Sequence, residues 1–320
     1  MSKPEILVTD PFIPVVQRGL REAFVTHDTW NVENAETVID SVSTSVRGAA
    51  CGHLIPFDKA MIDRFPKLEI IANFGVGYDN IDAAYAATKN IIVTNTPDVL
   101  TEEVADTAIG LMIMTARELS AAERWLRAGH WDHEYPLTRG TLRDKKLGIF
   151  GLGRIGKAIA RRAEAMQMEI GYHNRNRVAD VPYTYYATLS ELAADCDILM
   201  SVAPGGASTK RIVNAAIFEA LGPDGIFINI GRGSAVDEAA LIAALQNKVI
   251  LSAGLDVFEA EPNVPQALIE MDHVVLLPHV GSGSQHTRDA MGQLQVNNLV
   301  QWFDKGQPVT PVAETPWPRR

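Results

Sequence analysis

Short runs of apolar, often β-branched residues alternate along this chain with longer stretches whose apolar positions recur every three or four residues. Glu5–Val8, Leu68–Ala72 and Ile91–Thr94 read as buried strands, followed by Leu147–Phe150 and Met168–His173. Asp197–Val202, Gly225–Ile230, Ile250–Leu255 and His273–Leu277 continue the series. Helical spacing runs through Lys157–Ala163, Glu191–Ala194, Ala215–Ala220 and Asp237–Gln246. A long amphipathic helix is expected from about Thr101 to Ala128, and another over Gln285–Lys305. Strands without polar alternation must be covered on both faces, so the pattern predicts an α/β protein built on parallel sheets. No repeat or low-complexity segment interrupts the alternation, and the Pro-rich stretch 307–320 reads as a tail or strap.

One strand runs straight into glycines. Leu147–Phe150 is followed by Gly151-Leu152-Gly153-Arg154-Ile155-Gly156 and then by a helical stretch. Strand, Gly-x-Gly-x-x-Gly turn and helix in that order suit a dinucleotide pyrophosphate. Gly151 allows the tight turn, Gly153 lets phosphate approach the backbone, and Gly156 lets the helix pack on the strand. The first N–H groups of the helix face the anion. At the end of the next strand, where an NAD site carries an acid for the ribose hydroxyls, stand Asn174, Arg175, Asn176 and Arg177. No carboxylate repels a 2′-phosphate there, and Arg175 and Arg177 can receive one. NADP(H) is therefore the expected cofactor, with NAD(H) second.

Composition narrows the setting. The 320 residues allow one large or two ordinary domains, and 47% apolar with 21% charged residues describes a globular protein. A net charge of −10 argues against a nucleic-acid partner. No apolar run is long enough to span a membrane, and no signal-peptide core follows Met1, so the expected location is cytoplasmic. Cys51 and Cys196 lack metal or redox spacing and read as buried thiols.

Parallel sheets bind ligands at the carboxyl ends of their strands. Three predicted strands end in polar residues of complementary chemistry. Ile230 leads into Gly231-Arg232-Gly233, Leu255 into Asp256 and the segment to Glu261-Pro262, and Leu277 into Pro278-His279-Val280-Gly281. An arginine, a carboxylate and a histidine thus reach one sheet edge. Of eight histidines, only His279 follows an apolar strand and precedes Gly-Ser.

These segments, with Asn73–Asp79 and Val104–Ala108, resemble the D-isomer-specific 2-hydroxyacid dehydrogenases in content and order over nearly the whole chain. Within that family the Asn174–Arg177 turn is most similar to NADPH-preferring glyoxylate/hydroxypyruvate reductases. The resemblance implies two Rossmann-like doubly wound parallel-sheet domains with a cleft between them. Residues 1–97 and 285–320 would form the substrate domain and 98–284 the dinucleotide-binding domain, in a homodimer. It implies a 2-oxo acid as substrate, with Arg232 binding its carboxylate, His279 donating the proton and Glu261 holding the imidazole in its protonated form.

Further roles come from the resemblance alone. Leu54, Val76 and Gly77 would contact substrate. Thr107, Val202, Ala203, Pro204, Thr209, Ile230, Asp256 and Gly281 would line the cofactor, and Trp131 would pack at a domain or subunit boundary. The segment Ala203–Thr209 departs from the family's more polar turn. Formate dehydrogenases place glutamine where Glu261 stands, and longer phosphoglycerate dehydrogenases carry a further regulatory domain. Reduction of bulkier aryl pyruvates and a dinucleotide-sensing, corepressor-like role are the alternative readings.

Overall fold

The computed structural model describes residues 3–318. The chain begins with β1 (Glu5–Val8), α1 (Pro14–Ala23), β2 (Val25–Asp28), α2 (Ala35–Val42) and β3 (Gly48–Cys51). Next come α3 (Lys59–Asp63), β4 (Ile70–Asn73), α4 (Ala83–Thr88) and β5 (Ile92–Thr94). The middle opens with α5 (Thr101–Ala116), α6 (Leu119–Arg127), β6 (Lys146–Phe150), α7 (Arg154–Ala165), β7 (Glu169–His173) and β8 (Thr184–Tyr186). It continues with α8 (Leu189–Asp195), β9 (Ile198–Ser201), α9 (Ala215–Leu221), β10 (Ile226–Asn229), α10 (Glu238–Gln246), β11 (Ser252–Leu255), α11 (Gln266–Ile269) and β12 (Val275–Leu276). The last helix is α12 (Gln285–Lys305). Two units result, one from the residues up to Leu100 together with those from Ser284 onward, the other from Thr101–Gly283.

In the first unit five strands pair in parallel in the order β2-β1-β3-β4-β5. Successive strand residues point to opposite faces, and both faces are apolar. Ile6, Val8, Ile70 and Ala72 pack with Val16, Leu20, Val296 and Leu299 of α1 and α12. Leu7, Ala49, Cys51 and Ile71 pack with Ile39, Met61, Ile62 and Ala86 of α2, α3 and α4. Each such Leu, Ile or Val contributes about 1.5–3 kcal/mol by leaving water.

The second unit is a seven-stranded parallel sheet in the order β12-β11-β10-β9-β6-β7-β8. From β6 the chain moves outward to β7 and β8, then returns to build β9 to β12 on the other side. The order therefore reverses between β6 and β9, which opens a crevice at their carboxyl ends. On one face Leu199, Phe227, Ala253 and Leu255 pack with Leu192, Phe218 and Leu241 of α8, α9 and α10. Helix starts follow capping chemistry: Thr188 and Glu191 form a reciprocal capping box at α8, and Ser284 accepts from the Thr287 N–H at α12.

Two expectations need correction. The helix expected over Thr101–Ala128 is two helices, broken at Glu118, whose φ of 51° lies in the left-handed region. Neither Gly nor Pro marks the break, but the pattern changes there from apolar on nearly every side in α5 to amphipathic in α6. Helix α5 buries Leu111, Met112, Thr115 and Ala116, whereas α6 buries no residue. The strand expected over His273–Leu277 shrinks to the two residues of β12, at the sheet edge.

Candidate active site

The glycine turn leaves β6 where the sheet order reverses. Gly151 has φ +103°, and a Cβ there would lie 2.8 Å from the Ala203 nitrogen. A Cβ on Gly156 would lie 2.4 Å from the Gly151 carbonyl oxygen, so α7 approaches β6 at a distance only glycine permits. Beside Gly153 the space is open. Among the described residues the N–H groups of Ile155 and Gly156, in the first turn of α7, have no acceptor. Asn174 is tied into this turn, because its Oδ1 accepts the Leu152 N–H at 2.7 Å. Arg175 and Arg177 are exposed, and neither forms an ion pair among the described residues.

The neighbouring strand ends close around this turn. The Val202 N–H donates to the Phe150 carbonyl, and the Ile230 N–H to that of Ser201. Ala203 is buried and Pro204 exposed. Thr209 closes its own turn, its hydroxyl donating to the Pro204 carbonyl at 2.7 Å. Thr107 Oγ1 donates to the Gly281 carbonyl at 3.1 Å, joining α5 to the segment after β12.

Arg232, Glu261 and His279 all belong to this unit, on the segments that follow β10, β11 and β12. Asn229 fixes the arginine loop: its Nδ2 donates to the Arg232 carbonyl and its Oδ1 accepts the Gly231 N–H. Arg232 Nη1 donates to the Gly231 carbonyl at 2.9 Å, and the side chain is half-buried. His279 Nδ1 lies 2.7 Å from Glu261 Oε2, with side chains 49% and 34% exposed. The other Glu261 oxygen accepts the Phe258 N–H at 3.0 Å. Burial pushes the Glu261 pKa up, but the His279 and Phe258 hydrogen bonds and the charges of His279 and Arg232 outweigh it, leaving it below the ordinary 4.5. With Nδ1 on the carboxylate, Nε2 is the ring nitrogen left for a substrate.

His279 has φ 54°, a left-handed backbone that costs a non-glycine residue energy and so needs support. Asp256 supplies it. Its carboxylate, 1% exposed, accepts the Val280 and Gly281 N–H groups at 2.7 and 2.9 Å, while its own carbonyl accepts the His279 N–H. Burial raises the Asp256 pKa, and these two N–H groups oppose the rise.

The residues expected to meet substrate from the first unit stand on two loops after β3 and β4. Asp10, 4% exposed just beyond β1, accepts the N–H groups of Gly52, His53 and Leu54 at 2.7, 3.0 and 3.2 Å. Leu54 is thereby held 54% exposed. In the second loop Asn73 Nδ2 donates to the carbonyls of Gly75 and Gly77, and Asn95 Nδ2 to that of Val76. The sequence reading missed Asp10 and Asn95, and named Asn73 only as part of its segment. The available signal was their position, each a polar residue at or just past the end of a buried parallel strand.

The family model for the D-isomer specific 2-hydroxyacid dehydrogenase, NAD binding domain, matches residues 109–281, more than half of the chain. Glyoxylate/hydroxypyruvate reductase A of Arabidopsis thaliana is 42% identical over 98% of this chain and 100% of its own length. Hydroxyphenylpyruvate reductase of Plectranthus scutellarioides is 41% identical over 96% and 98%. Among solved structures, an NADPH-dependent glyoxylate/hydroxypyruvate reductase from Sinorhizobium meliloti, in complex with NADP and malonate, is 51% identical. It superposes with a TM-score of 0.94 over 100% of this chain and 99% of that one. Glycine turn, paired Glu261 and His279, parallel sheets and relatives matched end to end agree, and the chain belongs to the D-isomer-specific 2-hydroxyacid dehydrogenases.

Proposed function

We propose that this protein reduces small 2-oxo acids, glyoxylate and hydroxypyruvate, with NADPH to 2-hydroxy acids, of D configuration where the product is chiral. The observation that carries the reading is the 2.7 Å contact between His279 Nδ1 and Glu261, on the same sheet edge as Arg232 and the glycine turn. Gly151–Gly156 and the N–H groups of Ile155 and Gly156 fit a pyrophosphate, and Arg175 and Arg177 fit a 2′-phosphate. When bound there, the cofactor supplies a hydride to the carbonyl carbon.

The chain's own residues do the rest. Arg232 takes the substrate carboxylate through its guanidinium fork, with Leu54, Val76 and Gly77 as further substrate contacts. His279 gives a proton from Nε2 to the carbonyl oxygen as the carbon–oxygen π bond breaks. Glu261, ionised because its pKa is depressed, stabilises the imidazolium before that transfer. Asp256 and Thr107 keep the His279–Gly281 segment in place.

Initial rates with NADPH and NADH on glyoxylate, hydroxypyruvate, pyruvate and phenylpyruvate test the reading. Fast NADPH turnover of the two small acids supports it, a preference for phenylpyruvate moves the chain to aryl pyruvates, and no turnover of any overturns it. Arg175→Ala alone is expected to weaken NADPH by about tenfold to a hundredfold, the effect of one charged hydrogen bond of about 1.5–3 kcal/mol, and adding Arg177→Ala should deepen the loss. NADH affinity should stay within about twofold. Equal losses for both cofactors, measured by fluorescence titration, would remove these arginines from the phosphate site.

The same reading includes a homodimer in the cytoplasm. Leu119 and Leu126 of α6 are 43% and 49% exposed, and Trp131 and Leu137 beyond it 76% and 99%, an apolar surface suited to a second copy of the chain. Both thiols are buried, and burial pushes the Cys196 pKa up to about 12, which suits inert packing.

A further inference from the structure

We infer that Tyr172 and Tyr185 are positioning residues whose hydroxyls hold the turn carrying Arg175 and Arg177 in place for the 2′-phosphate of NADPH, an inference that rests on the proposed role of those arginines. Guanidiniums on long, exposed side chains meet a phosphate efficiently only if the backbone beneath them is already placed. Otherwise the turn is ordered at the moment of binding, and that entropy is lost from the affinity.

The turn has little of its own to hold it. Among the described residues, 174–180 form no backbone–backbone hydrogen bond. Arg175, Asn176 and Arg177 are polar and exposed, so no apolar side chain anchors them. Side chains make the contacts that the backbone lacks. Asn174 Oδ1 accepts the Leu152 N–H at 2.7 Å, which ties the start of the turn to the glycine loop. The Tyr185 hydroxyl donates to the Asn174 carbonyl at 3.3 Å. The Tyr172 hydroxyl accepts the Val178 N–H at 3.0 Å and donates to the Val178 carbonyl at 3.3 Å. Asn174 and Val178 are thus fixed, and the two arginines stand between them.

Both tyrosines are firmly mounted. Tyr172 lies within β7 and is fully buried, and Tyr185 is its direct partner on β8. Paired across the ladder they share one face of the sheet, with ring centroids 5.4 Å apart. The short edge strand β8 is held further by His173, whose Nδ1 lies 2.9 Å from the Tyr186 carbonyl oxygen. A buried tyrosine needs a partner for its hydroxyl, and Tyr172 finds it in the backbone of the turn, not in the sheet. If packing alone were at stake, phenylalanine would fill either place equally well.

The test titrates NADPH and NADH by fluorescence against the full-length protein carrying Tyr172→Phe or Tyr185→Phe, each of which removes one hydroxyl and keeps the ring. The Kd for NADPH should rise by about threefold to tenfold in each variant, the effect of losing a neutral hydrogen bond, with that for NADH within about twofold. In a protein already carrying Arg175→Ala and Arg177→Ala, the same substitutions should change NADPH affinity by less than about twofold, because the turn then has no guanidinium to aim. Equal losses for both cofactors, or lower thermal stability with an unchanged NADPH-to-NADH ratio, would show that the tyrosines only support the sheet, and either result overturns the inference. If the buried Tyr172→Phe variant does not fold, the half-buried Tyr185→Phe decides the matter. The arginine reading fails separately. Should the arginine variants leave the ratio unchanged while the tyrosine variants lower it, the positioning of the turn stands and only the assignment of the phosphate to Arg175 and Arg177 falls.

Discussion

Arg232→Ala is expected to lower kcat/KM for glyoxylate by about a thousandfold or more while leaving NADPH affinity within about threefold. The size follows from the chemistry: a bidentate guanidinium–carboxylate contact makes two charged hydrogen bonds of about 1.5–3 kcal/mol each. The selectivity follows from position. Arg232 stands on a loop whose backbone Asn229 holds from both sides, so losing the side chain should not disturb the glycine turn after β6. Arg232→Lys separates charge from geometry. It keeps the cation but not the planar fork, and should recover only part of the loss. Steady-state kinetics with a fluorescence titration of NADPH checks both variants. A parallel loss of NADPH affinity would place Arg232 in the cofactor's support instead of at the carboxylate.

What could be read from the chain was what local chemistry decides. The glycine turn is legible because strand, glycines and helix are contiguous, and each glycine has a short-range reason: the positive φ of Gly151, and the 2.4 Å approach that a Cβ on Gly156 would make. Arg232, Glu261 and His279 were legible because each follows a buried parallel strand, and such strands deliver their next residues to one edge. β3, with the sequence Gly-Ala-Ala-Cys, escaped notice for the opposite reason. It carries no β-branched residue, and its burial is imposed by neighbours on both sides. The break at Glu118 was invisible because no Gly or Pro marks it, although α5 is apolar and buried while α6 is amphipathic and buries no residue.

Residues acting at long range were the hardest to see. Asp10 organises Gly52–Leu54, more than forty positions away, and nothing near Asp10 in the chain announces that loop. Asn174 illustrates a related case. Its position at the end of β7 pointed to the ribose, yet its Oδ1 is engaged by the Leu152 N–H. A polar side chain at a strand end can serve ligand or loop, and only the fold reveals which backbone donors lack a partner.

His279→Ala should lower the reductive kcat by about 10²–10⁴, the range for loss of a general acid, with NADPH affinity retained. The informative companion is Glu261→Gln. Because the folded Glu261 pKa lies below 4.5, the carboxylate is ionised across the working range and favours a proton on its partner. The amide offers His279 Nδ1 an acceptor without charge, so an imidazolium there loses the field of the carboxylate. Reductive activity in Glu261→Gln should accordingly fall off at lower pH than in the parent. The stability sign is separate. A depressed carboxyl pKa contributes stability that is present above about pH 4.5 and is lost as pH falls through the lower folded value. The stability gap between parent and Glu261→Gln should therefore persist at neutral pH and close on acidification below 4.5, while the activity difference appears on the alkaline side. Coincident pH–rate profiles for the two proteins would show that Glu261 orients the imidazole without tuning its proton.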